Sequence, residues 1–178
     1  MKTLLVAMLA LSVNAFAGVD LAKSEFKWTG KKVAGPHNGV VPLKSATLVE
    51  EKGALTGGEF VIDMTKIDVQ DLQGEWKGKL EGHLKSADFF EVDKYPTASL
   101  KVKSVKGATV AADLTIKGIT KPVTFDVKKD GKAYTGQLVF DRTQFNVKYN
   151  SGSFFDVKAL GDKLIDDKVV VDFKVVQN

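Results

Sequence analysis

His37 and His83 are the side chains of this sequence best suited to acid–base or metal chemistry near neutral pH. His83 lies in the segment GHLKSADFFEVDKYP, from Gly82 to Pro96, and Asp88 and Glu91 follow it there. A catalytic histidine needs a reacting proton within reach and an orienting carboxylate, and zinc is bound by imidazole and carboxylate groups. If the fold brings both histidines together with one of these acids, the sequence predicts a metal or catalytic site.

Two simpler interpretations of the histidines stay open beside this one. No nucleophile elbow, phosphate-binding glycine loop or paired-histidine motif occurs in the sequence. His83 is then a satisfied, partly buried residue that docks a helix on a sheet, or a polar contact to the head group of a ligand. His37 lies in Gly-Pro-His-Asn-Gly, which suits a solvated turn or a binding loop.

The elements that must position these residues follow a period of two, the mark of half-buried strands. The pattern predicts about eight strands, including EFKWTGK, GVVPLKSATLVEE, GEFVIDM, ASLKVKSV, TQFNVKY and the closing KVVVDFKVV. Asp130-Gly131 between two alternating runs predicts a tight hairpin. GITKP predicts a second hairpin loop, and Pro42 indicates an edge position or a bulge. The fold class is therefore all-β, an antiparallel barrel or sandwich.

One segment departs from the strand rhythm. Trp76, Leu80, His83 and Leu84 recur at helical spacing, so they share one face of a predicted short helix around residues 75–86. Gly78 and Gly82 weaken that helix.

Composition and the first residues indicate where the protein works. Residues 1–17 combine Lys2, an apolar run and Ala-Phe-Ala, the layout of a cleaved signal peptide. We expect a single domain over residues 18–178, exported to the periplasm without stable membrane insertion. The absence of cysteine excludes disulfides and thiol chemistry. The lysines are interleaved with acids, which argues against a nucleic-acid partner.

The period-two pattern also predicts which side chains face the interior. Phe89 and Phe90 are adjacent, so on an extended segment one would line a pore while the other anchors the helix. An eight-strand barrel is just wide enough for side chains or one small ligand. The candidate ligand-binding residues are Trp28, His37, Phe60, Met64, His83, Leu84, Phe89, Phe90, Leu100, Phe125, Phe140 and Phe173.

Two long motifs give this chain a family resemblance. GHLKSADFFEVDKYPTASLKVKSV and ADLTIKGITKPVTFDV resemble the corresponding segments of the YceI-like family, and FNVKYN and KVVVDFKVV are similar to its later strands. The resemblance implies a lipocalin-like barrel with a helix beside it, which binds polyisoprenoids or quinone tails in an internal pore. KKVAGPHNGVV departs from the family pattern near the pore mouth, which leaves the ligand's identity open.

The sequence therefore predicts a non-enzymatic periplasmic protein that carries, stores or sequesters a long apolar molecule, with no cofactor and no metal. The alternative is a His-based enzyme or metal protein that uses His37 and His83 at the barrel mouth. A packed β-structure that binds protein through its outer surface is a third hypothesis. A homodimer is compatible with the sequence, which does not determine the oligomeric state.

Overall fold

The computed structural model describes residues 15–178 and contains eleven strands and two α-helices. The helices are α1 (Gly74–Lys85) and α2 (Val157–Leu160), and short 3-10 turns cover Met64–Lys66, Arg142–Phe145 and Gly161–Lys163. The strands are β1 (Ala15–Gly18), β2 (Glu25–Lys32), β3 (Gly35–Val40), β4 (Leu43–Glu51), β5 (Ala54–Asp63), β6 (Asp68–Val69), β7 (Thr97–Lys106), β8 (Thr109–Ile116), β9 (Ile119–Asp130), β10 (Ala133–Asp141) and β11 (Ile165–Val176).

All eleven strands form one antiparallel sheet, in the order β1-β4-β5-β7-β8-β9-β10-β11-β2-β3-β6. The sheet curls at β9. Residues 119–126 pair with β8, while Val127 to Asp130 pair with β10. β9 therefore belongs to both halves of the sheet, and the two halves face each other around a common interior. The predicted antiparallel all-β barrel with a helix beside it is confirmed. The count rises to eleven because the short strands β1, β3 and β6 extend the edges.

One of the two predicted hairpin loops forms as predicted, and the other is shorter than predicted. The Asp130-Gly131 hairpin forms as predicted, with Gly131 at a φ of 55°. The GITKP loop is wrong in extent: the turn is Lys117-Gly118, both at positive φ, and Pro122 lies inside β9 opposite Asp113. This part of β9 pairs with one neighbour only, so an edge is available that tolerates proline.

Two predicted strands are also corrected. GVVPLKSATLVEE is divided at Pro42, because β3 ends at Val40 and β4 begins at Leu43. TQFNVKY forms no strand: the chain follows a 3-10 turn and then reverses at Asn146, whose φ is 59°. Buried Arg142 binds the carbonyl groups of this segment, which competes with strand pairing.

The predicted helix is present as α1, but its apolar face is narrower than predicted. Leu84 is buried and Leu80 and His83 are half-buried, whereas Trp76 is 68% exposed. The helix docks through polar contacts on another side, because Lys77 binds Asp68 and Glu81 accepts a hydrogen bond from the Val69 amide. Trp76 is therefore left outside, with the Lys79 ammonium 4.8 Å from its ring centre.

The predicted signal peptide lies mostly outside the described residues. Its last three residues, 15–17, belong to β1, which pairs with β4 at one edge of the sheet. Cleavage after Ala17 stays a prediction, and it would make β4 the edge strand. Within residues 15–178, no helix is long and apolar enough to cross a membrane.

Candidate functional site

The two halves of the sheet enclose a cavity of about 220 Å³ with an almost wholly apolar wall. All twelve candidate residues from the sequence lie on this wall, together with further aliphatic side chains from both halves. That they contact a ligand stays a prediction. A cavity of this size is unusual in a protein interior, where packing normally leaves few voids larger than a water molecule.

Strand alternation positions most of the wall. Phe60 on β5, Leu100 on β7 and Leu114 on β8 are register partners, so their side chains stand side by side on one half. Phe173 on β11 and Trp28 on β2 face the interior from the other half.

Two glycines make room for aromatic rings on neighbouring strands. A Cβ atom at Gly136 would lie 2.4 Å from the Asp126 carbonyl oxygen and 2.6 Å from the Phe173 ring. One at Gly39 would lie 2.0 Å from the Asp68 carbonyl oxygen and 2.8 Å from the Trp28 ring. Each glycine therefore sits where a side chain would collide with both the neighbouring backbone and a ring of the cavity wall. Phe173 in turn packs against Phe26, at 6.0 Å between ring centres, and against Phe125, at 5.5 Å.

One end of the cavity is closed by a polar cluster. The buried Tyr134 hydroxyl donates to Glu50, and the Lys129 ammonium lies 2.8 Å from the same carboxylate. Burial alone would raise the pKa of Glu50, but hydrogen bonds from Lys129, Tyr134 and Gln177 hold that pKa below its usual value. Burial and the hydrogen bond to Glu50 raise the pKa of Tyr134. At neutral pH the Glu50 carboxylate is therefore ionised and the Tyr134 hydroxyl is neutral, so the hydroxyl keeps its proton to donate to the carboxylate.

The opposite end reaches the surface, and we call it the mouth of the cavity. Lys31, Lys32 and Asp166 line the cavity and are themselves exposed. His37 also lies on the wall here, and its Nδ1 atom is 2.7 Å from Asp71 Oδ2. Asp71 also accepts the Asn38 amide, so it ties β3 to the segment before α1.

His83 is packed among aromatic rings. Its ring centre is 4.5 Å from that of Tyr149 and 5.4 Å from that of Phe89, both edge to face. The expected hydrogen bond is not found: His83 Nε2 is buried without a partner in the described chain, as is Trp28 Nε1. Buried polar groups normally find partners, and one left alone costs about 1–3 kcal/mol.

The prediction for the Phe-Phe pair is wrong in geometry. Phe89 and Phe90 both line the cavity, with ring centres 5.4 Å apart at 71°. The segment is a turn and not extended, because the Phe89 amide donates to Ser86 and the Phe90 amide to Leu84. Adjacent side chains on a turn need not point to opposite sides.

Arg142 is the wall residue that sequence reasoning missed most clearly. Its side chain is 1% exposed, and burial lowers the pKa of its guanidinium. Its nitrogens donate to the carbonyl oxygens of four residues and to one carboxylate, those of Val147, Tyr149, Ile165, Asp166 and Asp167. A basic residue at the end of an alternating strand gives no sign of burial, so the sequence carried no usable signal.

The described side chains also bear on metal chemistry. Across residues 18–178, no group of three or more histidine, aspartate or glutamate side chains is arranged to hold a metal ion. His37 is already engaged by Asp71, and His83 is surrounded by rings.

Comparison with known proteins identifies a family whose members resemble this chain. A family model described as the YceI-like domain matches residues 18–177. A UPF0312 protein of Staphylococcus aureus strain USA300 is 38% identical over an 81-residue alignment, which covers 39% of this chain and 47% of that protein. The chain thus spans about half the length of the curated relatives it matches.

Solved structures share the whole fold. The crystal structure of Burkholderia cenocepacia BcnA matches with a TM-score of 0.69 at 25% identity, over 90% of this chain and 99% of that one. A polyisoprenoid binding domain from Saccharophagus degradans, implicated in plant cell wall breakdown, matches with a TM-score of 0.61 at 14% identity, over 93% and 99%. With its family model covering nearly all described residues, the chain belongs to the YceI-like family.

Proposed function

We propose that this protein binds one long apolar molecule, of the polyisoprenoid or isoprenoid-quinone type, inside the barrel. The observation that carries the proposal is the cavity of about 220 Å³ with its apolar wall. Water gains little in such a space, whereas a hydrocarbon chain gains the full benefit of leaving water. A solved neighbour of the same fold is described as a polyisoprenoid binding domain, which supports the same class of ligand here.

The cavity volume sets the scale of the ligand. One water-sized group needs roughly 10–15 Å³ of such space, so about 220 Å³ holds roughly fifteen to twenty methylene-sized groups. At about 0.8 kcal/mol for each buried methylene, the transfer amounts to roughly 12–16 kcal/mol. Loss of motional freedom offsets at least about 4 kcal/mol of this, so roughly micromolar to nanomolar binding is the tightest that the cavity supports.

In this proposal the protein encloses its ligand and does not catalyse a reaction. Sheltering an apolar chain requires no reacting group, and the polar atoms of the wall are almost all turned away from the cavity. Together with the predicted signal peptide, the proposal implies that the protein transports, stores or sequesters the molecule in the periplasm. The rival proposal of a His-based site has less support, because His37 and His83 each have other neighbours.

A fluorescence titration tests the proposal with a reporter that the protein already contains. The chain has two tryptophans, Trp28 on the cavity wall and the exposed Trp76. The Trp76→Phe variant leaves Trp28 as the single reporter. Isoprenoid quinones quench indole at close range, so we expect saturable quenching with one molecule bound per chain.

The control uses the other tryptophan. A Trp28→Phe variant reports from Trp76 alone, which lies outside the cavity, and it should show no saturable quenching. Equal quenching of both tryptophans would indicate nonspecific adsorption and refute binding in the cavity.

A further inference from the structure

Five of the large apolar side chains exposed on this protein come from the two segments that border the mouth. They are Val33 at 60%, Tyr149 at 38%, Phe154 at 49%, Phe155 at 52% and Val157 at 51% exposed. Val33 comes from the β2–β3 turn, and the other four come from residues 149–157, which follow Asn146. We call these five residues and the lysines around them the rim surface. Exposed apolar groups scattered singly need no explanation, but a group of this size marks an interaction site.

Hydrogen bonds through Leu164 and Ile165 join the two segments of the rim surface, because the Ile165 amide donates to the Asn150 carbonyl oxygen at 2.9 Å. The Val33 amide donates to the Leu164 carbonyl oxygen at 3.2 Å. Lys31, Lys32 and Val33 line a shallow cleft whose other wall includes Gly152 and Leu164. The two segments therefore meet across this cleft.

The rim surface also adjoins the cavity. Lys31, Lys32, Ile165 and Asp166 line both the cleft and the cavity. A molecule that enters or leaves through the mouth must pass the exposed rings and lysines of this face.

The aromatic residues of the rim surface are held by the fold. Arg142 donates to the Tyr149 carbonyl oxygen, and the amides of Phe154 and Phe155 both donate to the Ser151 carbonyl oxygen. Ser151 is fully buried. The rings are thus presented to solvent by an ordered segment, although exposing them is unfavourable in water.

The lysines of the rim surface favour a negatively charged partner. Residues 31–33 and 148–167 contain five lysines and four aspartates, and one of the aspartates, Asp167, is paired with buried Arg142. None of these lysines takes part in an ion pair within residues 18–178, and the Lys148 ammonium lies 4.4 Å from the centre of the Phe154 ring. Aromatic groups interleaved with lysine are typical of surfaces that lie in the interface of an anionic bilayer. Protein interfaces, in contrast, are depleted of lysine.

We propose that the rim surface docks on the surface of an anionic lipid bilayer, with its rings among the acyl chains and its lysines on the headgroups. This peripheral contact places the mouth against the membrane, so an apolar cargo passes between bilayer and cavity without crossing water. The cargo step rests on the proposed function, whereas the docking step stands on the surface alone.

Cosedimentation with vesicles tests the docking step. The vesicles contain phosphatidylglycerol and phosphatidylcholine in equal amounts, and a second set contains phosphatidylcholine only. We expect the protein to bind the anionic vesicles more tightly and to be released by salt. Phe154→Ser with Phe155→Ser should weaken binding at least tenfold. Lys148→Gln with Lys158→Gln and Lys163→Gln should weaken it by roughly a hundredfold, at about 1 kcal/mol per lysine.

A matched control distinguishes binding through the rim surface from nonspecific adsorption to the vesicles. Val139 is 45% exposed on the outer side of β10, where its neighbours Leu138 and Phe140 point inward. Val139→Ser should leave vesicle binding unchanged. All variants keep the same N terminus, so differences between them report on the rim surface. Because all substituted side chains are exposed or at the surface, unchanged circular dichroism is expected and checks the fold.

Three results would overturn the docking proposal. They are vesicle binding that the Phe154 and Phe155 substitutions leave intact, no vesicle binding at any lipid composition, or a dimer that these substitutions abolish in sedimentation velocity without vesicle binding. The proposed function fails separately. A protein that docks as expected but takes no isoprenoid quinone, either from vesicles or from detergent, keeps the docking proposal and refutes the cargo.

Discussion

Filling the cavity from its wall should abolish ligand binding without destabilising the fold. Leu100→Trp is the change that the structure suggests, because Leu100 stands between its register partners Phe60 and Leu114 on the wall. The indole group adds roughly six non-hydrogen atoms, and at about 0.8 kcal/mol per methylene-sized group it displaces about 5 kcal/mol of ligand contact. Affinity for an isoprenoid quinone should therefore fall by about three to four orders of magnitude.

Stability distinguishes a cavity from a packed core in the same variant. In a packed interior, the added atoms would force strained side chains and cost typically 1–3 kcal/mol. In a cavity of about 220 Å³ they find room and bury further apolar surface. Urea denaturation of the ligand-free protein should thus show an unfolding free energy equal to or above that of the unmodified protein.

The neighbouring residue supplies the control. Lys101 follows Leu100 on β7 and is exposed on the opposite side of the strand. Lys101→Trp adds the same group outside the cavity, and it should leave the affinity for the quinone unchanged. If Leu100→Trp binds the quinone as tightly as Lys101→Trp does, or unfolds far more easily, the reasoning from an open cavity is wrong.

Three further changes have defined outcomes. Arg142→Met leaves buried carbonyl oxygens without donors and should lower the unfolding free energy by about 3–5 kcal/mol in urea titrations, with Arg142→Lys less severe because it keeps the charge. Glu50→Gln should cost about 2 kcal/mol at neutral pH. Because the pKa of Glu50 is lowered in the folded state, this cost is present above the unfolded value near 4.5 and vanishes as the pH falls through the folded pKa. Denaturation at several pH values would show this loss. A difference in unfolding free energy between the two proteins that stays constant with pH would contradict it. His83→Ala should lower stability by about 1–2 kcal/mol through lost ring contacts, with quinone affinity little changed in calorimetry; loss of all binding would favour a direct role in the site.

The sequence predicted the cavity wall because strand alternation determines it. Phe60, Leu100, Phe125 and Phe173 each lie on a strand whose apolar residues recur every second position, so one correct register places them all inward. The helix was predicted for the same kind of reason. The way in which the helix packs on the sheet was not predicted. Trp76 fits the apolar spacing but is exposed, whereas Lys77 and Glu81 make the contacts to Asp68 and Val69.

The features that were not predicted depend on contacts between distant segments. Arg142 is buried because four backbone carbonyl groups converge on it, and two of them belong to residues more than twenty positions away. The closed end depends on Tyr134 meeting Glu50 across the sheet. The rim surface is also a product of folding, since Val33 reaches residues 149–157 only through the β2–β3 turn. No local pattern records such meetings.

The most direct test of the central proposal is mass spectrometry of an organic extract from the protein, purified gently from its own cell. We expect a long-chain isoprenoid or isoprenoid quinone at about one molecule per chain, present in the unmodified protein and in Lys101→Trp but lost from Leu100→Trp. An extract that contains no such molecule, from a protein that also takes none up on later incubation, would contradict binding in the barrel.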